Sequence, residues 1–149
     1  VSTTLAKQLA LYVIIHSPLQ MASDFIENYE KHPEAFEFIK SVPVIWDTTI
    51  VLNGEIEQFL TIARKDRNSD NWYIGGITNR ESRKLQFDLS FLDEGSYIAR
   101  IYADGDLADW QSNPLDYKIF EKVVSKSELM TMKLASGGGQ AIELEKIKD

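Results

Sequence analysis

Residues 57–78 read Glu57-Gln58-Phe59-Leu60-Thr61-Ile62-Ala63-Arg64-Lys65-Asp66-Arg67-Asn68-Ser69-Asp70-Asn71-Trp72-Tyr73-Ile74-Gly75-Gly76-Ile77-Thr78. Two runs rich in β-branched and aromatic residues, 57–65 and 72–78, flank Asn68-Ser69-Asp70-Asn71. Short polar side chains of that kind hydrogen-bond their own backbone and reverse the chain. The stretch predicts an antiparallel hairpin.

Similar runs recur on both sides, at 49–52, 84–89, 97–102, 117–124, 129–134 and 141–147. Asn53-Gly54, Asp93-Glu94-Gly95, Asp104-Gly105-Asp106 and Gly137-Gly138-Gly139 separate them as turns. Leu85, Phe87 and Leu89 alternate with Lys84, Gln86 and Asp88, the pattern of a half-buried strand. Eight short strands with turn signals between them predict an antiparallel β-sandwich or barrel, and a mainly β chain.

The first 53 residues differ. They hold none of the eight glycines but three of the four prolines, Pro18, Pro33 and Pro43. Ser2-Thr3-Thr4 offers N-cap residues, and Leu5, Leu9, Tyr12 and Val13 follow at helical spacing. Beyond Leu9 that helix is apolar on every side, which a surface helix of a small domain is not. Leu19-Gln20-Met21-Ala22 suits a short buried strand. Residues 27–40 predict a second helix, with Tyr29, Ala35, Phe36 and Ile39 on one face and Pro43 closing it. Two helices and one fully apolar strand cannot bury their faces alone. They read as the edge of a larger α/β sheet or barrel.

The 149 residues allow one sizeable core, and 44% apolar with 26% charged residues exclude a disordered or collagen-like chain. Sixteen Lys and Arg against 23 Asp and Glu, a net charge of −7, argue against a nucleic-acid partner. The absence of cysteine removes disulfides, cysteine-based zinc sites and a thiol nucleophile, and leaves the compartment open. The longest apolar run, Leu9 to Ile15, is far short of the about 20 residues of a membrane span. The chain opens at Val1 without a signal peptide, and reads as a mature, truncated or proteolysed product.

Thr4 to Tyr12, Ser17-Pro18-Leu19-Gln20-Met21-Ala22-Ser23-Asp24 and Glu27-Asn28-Tyr29-Glu30 resemble glycoside hydrolase family 97. So do Val51-Leu52-Asn53-Gly54-Glu55-Ile56, the Ile62 to Tyr73 stretch, and Leu134-Ala135-Ser136-Gly137-Gly138-Gly139-Gln140-Ala141-Ile142. Ile26 stands where that pattern has Pro, which leaves the path of the 24–27 loop open. The resemblance implies a C-terminal portion of an enzyme that joins an N-terminal β-sandwich, a (β/α)8 barrel and a small C-terminal sandwich. Residues 1–48 would be the last helix-strand-helix elements of the barrel, and 49–149 the C-terminal β-sandwich domain. It further implies hydrolysis of α-glucosides or α-galactosides, a periplasmic location, and calcium held upstream of this segment. The catalytic carboxylate pair is expected upstream as well, so no catalytic residue is assigned here and the chain alone is expected to be inactive.

Active sites of such barrels lie at the C-terminal ends of the strands, where Gln20, Met21 and Asp24 would fall. Related α-galactosidases place a Met of the last strand against the sugar, which makes Gln20 and Met21 candidate substrate-binding residues. Barrel core for Met21 and loop capping for Asp24 are the alternatives. His16 and His32 lack a ligand partner at metal spacing, and Asp104 to Asp109 resembles a calcium loop only in composition. Glu55 and Glu57 form a same-face strand pair without an implied task. Trp46, Trp72 and Trp110 could stack on sugars, Trp110 foremost, or seal the sandwich against the barrel. The expected partners are therefore the upstream barrel and N-terminal sandwich of the parent polypeptide and its oligosaccharide substrate. The leading reading is a non-catalytic scaffold, and the alternative is a carbohydrate-binding module.

Overall fold

The computed structural model describes residues 3–15 and 31–148. The quoted hairpin is present. β2 (Phe59–Asp66) and β3 (Trp72–Thr78) pair antiparallel, with Ala63 opposite Ile74. Asp66 explains the turn: its carboxylate accepts from the Asn68 amide at 3.1 Å and the Ser69 hydroxyl at 2.7 Å. Lys65 closes the loop by donating to the Ser69 carbonyl at 2.8 Å.

β1 (Trp46–Glu55) precedes them, and β4 (Arg83–Asp88), β5 (Tyr97–Asp104), β6 (Tyr117–Val124), β7 (Leu129–Leu134) and β8 (Gly139–Lys146) follow. β1 starts three residues earlier than its β-branched run predicts. Glu57 does not share a strand with Glu55. It lies in the turn after β1 with φ 62°, so the expected same-face pair does not form. A six-stranded antiparallel sheet of order β1-β2-β3-β8-β5-β6 faces a two-stranded sheet of β4 and β7. The main core fills the space between them, with Ile74, Leu89, Tyr97, Ile101, Met132, Ile142 and Leu144 at most 1% exposed. Trp72 belongs to this core, its ring 4.7 Å from that of Phe91. It therefore neither faces a sugar nor seals an outer surface.

Among the described residues, two helices lie on the other face of the long sheet. α1 (Leu5–Ile14) starts where the Thr4 hydroxyl accepts from the Lys7 amide at 3.2 Å. α2 (Pro33–Ser41) has Pro33 at its first turn, where a missing N–H costs nothing. Residues 27–30 of the expected second helix, the strand at 19–22 and the loop at Ile26 lie outside the described residues. The buried face of α2 carries Ala35, Phe38 and Val42, while Phe36 is 40% exposed, so the expected pairing of Phe36 with Ile39 on one inner face is off by part of a turn. Register explains the difference: Phe38 reaches the rings of Tyr73 and Tyr102 on the sheet.

Candidate functional site

The outer face of the long sheet is where the sequence places its least ordinary residues. Residues paired directly across strands share a face, so Gly75, Ala141, Tyr73, Tyr102 and Gly139 all point towards the helices. α1 lies against β3 and β8 at this spot. A side chain on Gly75 would come within 2.6 Å of the Ala10 carbonyl and 3.1 Å of the Val13 Cβ. One on Gly139 would meet the Lys7 Cα at 2.5 Å. The sheet is thus paved with small residues so that the helix backbone sits almost on the strands. Glycine in a strand interior commonly marks such a close approach. Leu5, Ala6, Leu9, Ala10, Tyr12 and Val13 are at most 1% exposed, which accounts for a helix apolar on every side.

The N-terminus of α1 is tied to the triple-glycine turn. Thr4 donates its amide to the Gly137 carbonyl at 3.1 Å, and Leu5 donates to Pro114 at 2.8 Å. Asp104, 5% exposed, accepts from the Ala135 and Gly139 amides at 2.9 and 3.0 Å. Burial raises the Asp104 carboxyl above its ordinary value, against the pull of those donors. Lys7, whose ammonium is held below its ordinary value by burial, donates to the Thr78 carbonyl at 2.8 Å.

α2 is fixed at both ends by tyrosines of the sheet. The Tyr117 hydroxyl donates to Glu34 at 3.0 Å near the start of the helix. The Tyr73 hydroxyl donates to the Ser41 carbonyl at 2.9 Å and lies 3.1 Å from Glu143. Burial, then Glu143, pushes the Tyr73 hydroxyl well above the ordinary tyrosine range, so it stays a donor at any physiological pH. Glu143 also pairs with Arg100, which reaches Glu121 at 2.5 Å. On the β1–β2 side the face stays open as a groove of about 630 Å³ beside α1, lined by Lys7, Val51, Ile56, Leu60, Ile77 and Thr78. Ile56 is 90% exposed there and Val51 62%.

The 104–109 loop is not built for a cation. The Asp109 carboxylate accepts from the Gln111 and Ser112 amides, Asp116 accepts from Leu107, and Asp106 pairs with Lys118 at 3.2 Å. Among the described residues no three His, Asp or Glu side chains gather to hold a metal ion, so calcium finds no fitting donor set in them. His32 meets the Tyr117 ring edge-on, at 5.3 Å between centroids. Trp46 packs on Tyr73 at the outer face, with the Arg64 guanidinium 5.8 Å from its ring. Trp110 is half-buried, backed by Gly137, with the Arg80 guanidinium stacked 4.1 Å from its centroid. Gln20, Met21, Asp24 and His16 lie outside the described residues. Sequence reasoning gave Gly75 no role and read Gly139 and Asp104 only as turn residues; adjacent glycines inside a β3 pattern were the available signal.

Residues 45–145 match the family model described as "Glycosyl-hydrolase 97 C-terminal, oligomerisation". The chain belongs to glycoside hydrolase family 97. A retaining alpha-galactosidase of Bacteroides thetaiotaomicron is 39% identical over 142 residues, which is 95% of this chain and 21% of that protein. A probable retaining alpha-galactosidase of Streptomyces bingchenggensis is 28% identical over 100 residues, 67% of this chain and 15% of that protein. A family 97 enzyme from a Pseudoalteromonas species, solved in complex with panose, superposes with a TM-score of 0.89 at 38% identity, covering 99% of this chain and 23% of that one. The chain thus spans about a fifth of the length of its family 97 relatives, and it corresponds to their C-terminal portion. The glycine-paved sheet face and the helices on it lie in that portion.

Proposed function

We propose that this chain is the C-terminal part of an α-glycoside hydrolase acting on α-glucosides or α-galactosides, and that its sandwich is a non-catalytic seat for the catalytic barrel. Residues 1–48 then supply the final barrel elements, and 49–149 the sandwich that receives them. The observation that carries this reading is a helix apolar all round, lying on glycines of the outer sheet face. A sheet that only needed to bury its own residues would not give up side chains in the middle of β3. The open groove beside α1 continues the same apolar face and would take further parts of the barrel. Calcium dependence, a periplasmic location, and Gln20 and Met21 as substrate-binding residues belong to the same proposal and rest on the family resemblance. The matched model's description adds contacts between copies to the role, so the exposed Val51 and Ile56 have two candidate occupants, the rest of the barrel or a second copy, which the mass of an Ile56→Asp parent tells apart.

Gly75→Val in the parent enzyme tests the seat. The new side chain would collide with backbone of α1, and overpacking of this kind costs about 3 kcal/mol. Thermal stability and glycosidase activity are expected to fall together, while Leu129→Ser, on the exposed face of β7, leaves both unchanged. An enzyme of full activity and stability with Gly75→Val would overturn the proposal.

A further inference from the structure

Arg64 carries a charge that no carboxylate among the described residues balances. It stands in β2, paired directly with Thr49 on β1 and Tyr73 on β3, so it faces outward with Tyr73. The next outward position of β3 is Gly75, where a side chain would lie 3.1 Å from Ile14, the last residue of α1. Arg64 therefore stands beyond the end of that helix, one strand nearer the open edge of the face that seats it. Its Nε and Nη1 are both buried, and neither makes a hydrogen bond. Burial holds its guanidinium below the ordinary value, and no carboxylate acts against it. The Trp46 ring, at 5.8 Å, is at the outer limit of a cation–π contact.

Arg100, on the same face, is treated differently: it pairs with Glu121 and Glu143 and lies 3.6 Å from Glu145. The carboxylates that share the face with Arg64 are engaged elsewhere. Asp66, two residues on, accepts from Asn68 and Ser69, and Glu143, opposite Tyr73, holds Arg100 and Tyr73. The chain has 23 Asp and Glu to 16 Lys and Arg, so acids are not scarce; none is placed here. A buried lysine can shed its proton, but a guanidinium stays charged at any physiological pH. A neutral carbonyl would satisfy a donor and leave the charge unbalanced, whereas a carboxylate does both. The chain spans 21% of the length of its Bacteroides relative, so most of such an enzyme lies outside it. We propose that Arg64 is the docking contact for an Asp or Glu side chain of the catalytic barrel upstream of this chain, received on the outer face beside Trp46. This names a partner for the seat proposed above and rests on that reading.

Thermal unfolding of the parent enzyme tests the pair. Arg64→Met keeps most of the side chain's length and removes the charge. It is expected to lower the melting temperature by about 3–5 °C, because the acid on the barrel is left buried and unpaired. Arg64→Lys, which keeps the charge without the planar donor fork, is expected to lose about half as much. Asp24→Asn, Glu27→Gln, Glu30→Gln and Asp149→Asn alter the acidic positions outside the described residues, and their effects are expected to add to that of Arg64→Met. The proposal is overturned if Arg64→Met melts within about 1 °C of the unaltered enzyme. It is also overturned if the loss disappears in combination with one of those substitutions, which would put the acid inside this chain. A lower mass of the Arg64→Met enzyme by light scattering would put the acid on a second copy, and overturns it too. Gly75→Val reads the seat separately: an enzyme disrupted by Gly75→Val and indifferent to Arg64→Met keeps the seat and loses the pair.

Discussion

Asp104 joins two pieces of chain that are far apart in sequence, the end of β5 and the triple-glycine turn on which the start of α1 rests. One of its oxygens accepts two backbone amides, while the other is buried without a partner. Its carboxyl is raised, chiefly by burial, so the folded state holds the proton more tightly than the unfolded chain does. The resulting stabilisation is fully present below the unfolded value and is lost as pH rises through the folded one. Asp104→Asn keeps an acceptor and removes the charge. Its stability relative to the unaltered chain is expected to improve as pH climbs from about 4 to about 7, read from urea midpoints at each pH. A difference that stays constant over that range would contradict the assignment. None of this was legible locally, because Asp104-Gly105-Asp106 looks like any turn until Ala135 and Gly139 arrive from elsewhere.

At the scale of elements, the strands were the readable part. Trp72–Thr78, Tyr117–Val124 and Leu129–Leu134 have the predicted bounds, because turn residues and alternation act over a few positions. The inner face of α2 was not readable, since Phe36 and Phe38 are equally apolar and the sheet alone chooses between them. Tyr73 and Tyr117 make that choice firm by holding the two ends of the helix. Tyr73→Phe removes a buried hydroxyl between Ser41 and Glu143, and is expected to cost about 1–2 kcal/mol in chemical denaturation. Tyr117→Phe loses a bond to a solvent-exposed Glu34 and is expected to cost clearly less. Equal losses would show that burial does not set the strength of these two ties.

At the scale of the whole molecule, the long sheet has two buried faces with different occupants. The inner face is complete, covered by β4 and β7. The outer face is covered by α1 and α2 and then left open at Val51 and Ile56, an apolar surface large enough for another body. If copies of the parent enzyme meet there, Ile56→Asp is expected to lower its mass in solution by light scattering and leave its melting temperature within about 1 °C. An unchanged mass for an oligomeric parent would move the contact elsewhere on the molecule.

The sequence by itself determined that the chain is mainly antiparallel β, a sandwich or a barrel with turns at set places, and that its first helix had to be covered all round. Those properties follow from periodicity and turn chemistry, which act between near neighbours. Only the tertiary structure decided which glycines make room for that helix and which carboxylate pins the triple-glycine turn beneath its first turn. Each of these depends on backbone from distant parts of the chain meeting at van der Waals or hydrogen-bond distance. A linear pattern carries no record of that.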